Sequence, residues 1–168
     1  MPYLIGLVSL VGCHSNVEDS RSLSDLAKQV AQYAKEHGEQ SPEIEGHFLG
    51  QSPKVIGTYY HLILKTDNKD NIIIQYIDSG SDNKIGENDS LVIGQRDRRF
   101  IDVGIDGFHT YNERRNLGKH GATELARFFL GNDMVTYEGL GTGSDENVSA
   151  INKEYKDTLK FILDHLLK

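Results

Sequence analysis

The segment Tyr137-Glu138-Gly139-Leu140-Gly141-Thr142-Gly143 constrains this chain more than any other. Three glycines at alternate positions let the backbone turn sharply and approach a neighbour where a side chain would collide. The segment follows a strand-like run at Met134 to Tyr137 and precedes a run with helical spacing. A related punctuation stands upstream, where Phe100-Ile101-Asp102-Val103-Gly104-Ile105 ends abruptly in Asp106-Gly107-Phe108-His109-Thr110. Apolar strand, glycine turn and helix, stated twice, is the rhythm of a parallel α/β sheet. The expected fold is therefore α/β, with parallel strands in the C-terminal half and a mixed or antiparallel N-terminal half. In such sheets the chemistry lies at the carboxyl ends of the strands, where both turns would fall.

The rest of the pattern divides the chain. Residues 1–19 read as a lipoprotein signal or an N-terminal strand, 20–90 as a helix followed by a β-hairpin, and 91–168 as the strand–helix units. Ser22-Leu23-Ser24-Asp25 fits a capping box, and Leu23, Leu26, Ala27, Val30, Ala31 and Ala34 follow at helical spacing to a stop at Gly38. Glu39 to Pro53 reads as loop, Lys54 to Thr66 and Ile72 to Ile77 as a strand pair, and the polar stretch from Asp78 to Ser90 as a boundary. Beyond it, Leu91 to Gly94 reads as a strand and Lys119 to Leu130 as a helix. The last helix carries Val148, Ile151, Tyr155, Leu159, Ile162, Leu163 and Leu166 on one face.

Composition narrows the function. With 168 residues the chain has room for one substantial core, and its formal net charge of -7 argues against a nucleic-acid partner. Arg96, Arg98 and Arg99 cluster around Asp97, and they are read as flanking a strand end. The single cysteine, Cys13, permits no intrachain disulfide. It ends an uncharged stretch from Met1 to Gly12, and Leu10-Val11-Gly12-Cys13 resembles the lipobox of bacterial lipoproteins, which makes Cys13 a lipidation site. No Lys or Arg precedes the stretch, as a signal peptide would require; the other reading is a strand with an inert thiol. Asp78, Asp82, Glu87 and Asp89 lack the ligand pattern of an EF-hand, so neither metal nor cofactor is expected. The glycine loop lacks a dinucleotide fingerprint, because Ser144 stands where a third spaced glycine is needed.

The second half resembles the catalytic domain of type VI secretion phospholipase effectors, a family of α/β-hydrolases. Ile105-Asp106-Gly107 stands where the family has Asp-Gly-Thr, and Thr123-Glu124-Leu125-Ala126-Arg127-Phe128-Phe129 where it has its first helix. Tyr137 to Gly143 matches its Tyr-x-x-Gly-x-Gly-Thr turn, and Lys153 to Leu163 its next helix. The resemblance implies a partial α/β-hydrolase-like sheet and ester hydrolysis of a lipid through an acyl-enzyme. It also implies an active-site loop at Asp106, Gly107 and Thr110, with backbone N–H groups for an oxyanion, and a glycine turn at Tyr137, Gly139, Gly141, Thr142 and Gly143. The bland alternative makes Asp106 a turn cap and Gly107 a positive-φ position. Phe108 replaces the family threonine, and no Gly-x-Ser-x-Gly follows Tyr137. His109 and His120 flank the loop without the order that a hydrolase histidine needs.

Two functions are expected from these observations. The first is the front portion of a lipase-like serine hydrolase, lacking its nucleophile and inactive alone. The second is a noncatalytic binding module of the immunity type, anchored to a membrane through Cys13. Lipid or membrane is the implied partner, with any protein partner left open. The location is then cytoplasmic, exported by a type VI system, or membrane-anchored.

Overall fold

The computed structural model describes residues 20–45, 54–67, 70–118, 124–139 and 142–167. Its centre is a seven-stranded sheet: β1 (Glu39–Glu45), β2 (Lys54–Leu64), β3 (Ile72–Ser79), β4 (Ser90–Gln95), β5 (Arg98–Val103), β6 (Leu125–Leu130) and β7 (Asp133–Glu138). The strands lie side by side in chain order and every neighbouring pair is antiparallel. The helices are α1 (Leu23–His37), α2 (Tyr111–Asn116) and α3 (Val148–Leu166), with a 3-10 turn at Thr142–Asn147.

This overturns the expected α/β-hydrolase-like sheet with parallel strands in the C-terminal half. The stretch expected as a helix between Lys119 and Leu130 supplies β6 instead. Ala126 and Phe128 are buried while Arg127 and Phe129 face outward, a period of two. Leu130 pairs with Asp133 across the two-residue turn Gly131-Asn132, with Gly131 at φ +64°. A turn of that length with glycine at positive φ closes a hairpin, so the chain returns antiparallel and has no crossover to make. β5 and β7 do point the same way, but only because β6 runs against both. Glu39–Glu45, expected as loop, is the edge strand β1.

One face of the sheet is the core. Ile72, Ile74 and Tyr76 of β3, Leu91 and Ile93 of β4, Phe100 of β5 and Phe128 of β6 are all buried beneath α1 and α3. α1 starts with the reciprocal Ser22–Asp25 capping box and buries Leu26, Ala27, Val30, Ala31 and Ala34. Its alanines allow close approach, and α1 packs on β2, β3 and α3. α3 contributes Ile151, Tyr155, Leu159, Ile162 and Leu163. The segment expected as a boundary at 78–90 joins two paired strands of this one sheet, and two of its carboxylates, Asp78 and Asp89, are buried while Asp82 and Glu87 are exposed. Asp89 accepts from Tyr76 Oη (2.8 Å), Ser79 N (3.0 Å) and Gly86 N (2.8 Å), and Asp78 from Asp82 N and Asn83 N. These hydrogen bonds satisfy the buried acids without an ion.

Phe108 plugs the core between the loop after β5 and α3. Its ring centroid lies 6.1 Å from Phe100, 5.3 Å from Tyr155 and 5.5 Å from Tyr137. Asn152 of α3 clamps its backbone, accepting from Phe108 N (2.9 Å) and donating to Phe108 O (2.8 Å). Asn152→Ala strands both groups, so urea denaturation should show a loss of about 2–4 kcal/mol; a loss below about 0.5 kcal/mol would show that the clamp is dispensable.

Candidate functional site

The two bends singled out in the sequence do meet at one rim of the sheet. Tyr137 Oη lies 2.8 Å from His109 O and 3.0 Å from Glu124 Oε2, and Tyr111 N donates to Asp145 Oδ1 at 2.8 Å. The rim is built for packing. Asp106 N and Gly107 N both donate to the buried Asp102 carboxylate, at 3.2 Å and 3.1–3.2 Å. Those are the N–H groups an oxyanion would need, and they are already engaged. Gly104, Ile105 and Gly107 have φ of +94°, +55° and +94°. A Cβ on Gly107 would overlap the Leu23 side chain. Ile105 is held in its unfavourable left-handed conformation while its carbonyl accepts from Ser24 Oγ at 3.1 Å. Thr110 caps α2 through a reciprocal box with Glu113. Gly139 N donates to Glu124 O, Thr142 and Gly143 begin the 3-10 turn, and Cys13, Gly141 and His120 lie outside the described residues. His109 Nδ1 is 4.0 Å from Asp106 Oδ1.

Asp102 is the strained member of this rim. Burial, reinforced by the nearby Asp106 carboxylate, raises it to about 6 from an ordinary 3.8, against N–H groups and the Tyr155 hydroxyl that favour its charge. The folded chain therefore holds a proton there up to pH about 6, where the unfolded chain has released it near 3.8. The folded state binds more protons in that window, and this group's contribution to stability falls as pH rises from about 4 to about 6. Asp102→Asn keeps an acceptor for the loop, so from pH 4 to pH 7 it should gain on the wild type by up to about 3 kcal/mol. Parallel stability curves for the two proteins in urea would contradict the buried-carboxylate account.

The face of the sheet away from α1 and α3 is different. A groove of about 860 Å³ crosses it, with Ile73, Val92, Phe129 and Met134 among its apolar lining. Phe129 is 48% and Met134 40% exposed. A shallower extension passes His61 and Gln75, whose Nδ1 and Nε2 are 3.2 Å apart, towards β1. Four of the chain's seven arginines also line the groove: Arg96, Arg98, Arg99 and Arg127. Arg98 is held by Glu154 at 2.9 Å. Arg96, Arg99 and Arg127 have no carboxylate partner among the described residues.

Register makes this unusual. Arg99 and Arg127 stand directly opposite each other on β5 and β6, and Gly94 stands opposite Arg99 on β4. Like charges in facing positions destabilise a sheet. A Cβ on Gly94 would meet nothing closer than Ile73 Cβ at 3.9 Å, so space is open beside the pair. Two guanidiniums over an open position offer forked donors to a carboxylate or another anion. Among the described residues, the lining holds no serine, threonine, cysteine or lysine, and its polar members besides the arginines are His61, Asn71, Gln75, Gln95 and Asp97. Sequence reasoning took the Arg96–Arg99 cluster as a strand flank and placed Arg127 in a helix. The signal available was the Gly131-Asn132 hairpin turn, which makes the segment of Arg127 a strand and sets Arg127 opposite Thr136; the pairing with Arg99 comes from the β5–β6 register.

No family model, curated protein or solved structure matches this chain.

If the facing arginines are kept for a ligand, either is a liability in the free protein. Arg127→Thr should raise the free protein's stability by about 0.2–1 kcal/mol, read by chemical denaturation. A loss greater than about 1 kcal/mol would show that the pair is held for the fold.

Proposed function

We propose that this chain is a noncatalytic binding module whose open sheet face recognises an acidic, partly apolar segment of another protein. The observation that carries the reading is the Arg99–Arg127 pair, in register and without a carboxylate partner among the described residues, beside exposed Phe129 and Met134 in a chain of net charge -7. Arginine, methionine and aromatic side chains are the residues enriched at protein interfaces. A protein partner suits the site better than the alternatives. The groove is half open and four arginines line it, where an acyl chain needs an enclosed apolar pocket. Three arginines without a carboxylate partner among the described residues do not make a phosphate track in an acidic protein.

The hydrolase reading is the weaker of the two sequence expectations. It asks for a parallel sheet and free N–H groups at Asp106 and Gly107, and both are otherwise engaged. Membrane attachment through Cys13 rests on the lipobox resemblance alone.

The test is an NMR titration of the protein with a soluble peptide alternating glutamate and leucine. The lysine–leucine peptide, phosphatidylglycerol vesicles and a single-stranded oligonucleotide serve as comparisons. The acidic peptide should shift Arg99, Arg127, Phe129 and Met134, and Arg99→Ala/Arg127→Ala should weaken it at least tenfold, about 1.4 kcal/mol. Preference for vesicles or oligonucleotide, or turnover of acyl nitrophenyl esters by the purified chain, would overturn the proposal.

A further inference from the structure

The two edges of the sheet are not alike. β1 carries Pro42 and a bulge between Glu43 and Ile44, both of which discourage another strand from pairing there. β7, at the far edge, is a regular six-residue strand with no proline, no lysine and no bulge. It is also where the groove ends, since Met134 lines it and Thr136 pairs with Arg127. Arg99, Arg127 and Thr136 therefore form one row across the open face, and the next place in that row belongs to whatever lies beside β7. Strands sit about 4.8 Å apart, so a side chain in that place stands about 10 Å from the Arg127 backbone, within reach of an extended arginine meeting a glutamate.

We propose that the outer edge of β7, unpaired among the described residues, receives an extended segment of the partner as an eighth strand, with an apolar residue beside Met134 and a carboxylate beside Thr136. This rests on the open-face reading and adds how the partner enters. Glu138 lies two residues beyond Thr136 on the same face, so the position after the carboxylate should be basic or polar. A second copy of this chain is a poor occupant. Antiparallel pairing of β7 with itself keeps each residue on its own face, so about Val135 or Thr136 it sets Met134 or Thr136, and no carboxylate, beside Thr136. Backbone pairing would supply affinity and the row would supply selectivity, as in other strand-addition interfaces.

Two peptides test this: one with Leu-Thr-Glu-Thr-Lys at its centre for parallel pairing, the other with the reverse order for antiparallel pairing. Each is made unmodified, and with alternate amides N-methylated in either of the two phases. One orientation should bind the full-length protein, and one methylation phase should weaken it at least tenfold while the other leaves it within about twofold. The Met134–Thr136 amides should exchange more slowly in the complex. If both methylated forms bind like the parent while Arg99→Ala/Arg127→Ala still abolishes binding, edge entry is wrong and the open-face reading stands. If neither peptide binds although the glutamate–leucine peptide does, edge entry is again overturned. Failure of that peptide as well overturns both. Self-association through β7, seen as a dimer in sedimentation and lost in Thr136→Pro, whose N–H faces the outer edge, but not in Arg99→Ala/Arg127→Ala, would replace the partner with a second copy.

Discussion

Two helices cannot cover both faces of a seven-stranded sheet. Strands about 4.8 Å apart make this sheet roughly 29 Å wide, while helices with their side chains are about 10 Å across. α1 and α3 together span about 20 Å, the greater part of one face, and both lie there. The rest of the structure follows from that allocation. The covered face takes the large apolar residues of alternate strand positions. Phe108 and its Asn152 clamp fill the space that the helices leave near β5 and β7. The other face is left to whatever its side chains can attract.

Charge is distributed along the strands as unevenly as apolar surface is across the sheet. One end collects Asp78, Asp89, Asp102 and Glu124, all buried and most bound to backbone N–H groups or tyrosine hydroxyls. The opposite end carries the tight turns at Arg96-Asp97 and Gly131-Asn132, with Arg98, Arg99 and Arg127 close by. The acids hold loops, and among the described residues Arg96, Arg99 and Arg127 have no carboxylate partner. An overall net charge of -7 therefore coexists with a local basic patch. Such a patch steers an acidic partner to one end of the molecule, and long-range repulsion from the remainder rejects indiscriminate anions.

How much of this was legible depended on whether local signals agreed. α1 had a capping box, an apolar stripe and a stopping glycine, and it forms at Leu23–His37 as read. The β2–β3 hairpin and α3 were equally plain. β6 was not, because Leu125, Ala126, Phe129 and Leu130 satisfy a helical stripe about as well as Ala126 and Phe128 satisfy an alternating strand. Gly131-Asn132 would have decided it, since a two-residue turn forces the next strand back alongside. That single misreading converted a hairpin into a strand–helix unit and made a parallel sheet look natural. The rim was legible as a place, for Asp106, Gly107 and Tyr137 do converge there. Its chemistry was not, because nothing local reveals that Asp102 captures the loop's N–H groups. The arginine pair was invisible without the register, which joins residues 28 positions apart in the chain.

The most direct check on this account is which face of the sheet meets water in the free, full-length protein. A neutral, water-soluble paramagnetic agent measures it, through the relaxation of side-chain NMR signals on alternate residues of β3 and β6. The account predicts strong relaxation of Ile73, Arg127 and Phe129, with Ile74, Ala126 and Phe128 shielded. Equal shielding of both sets would mean that the arginine face is already covered, and the binding role assigned to it would fail.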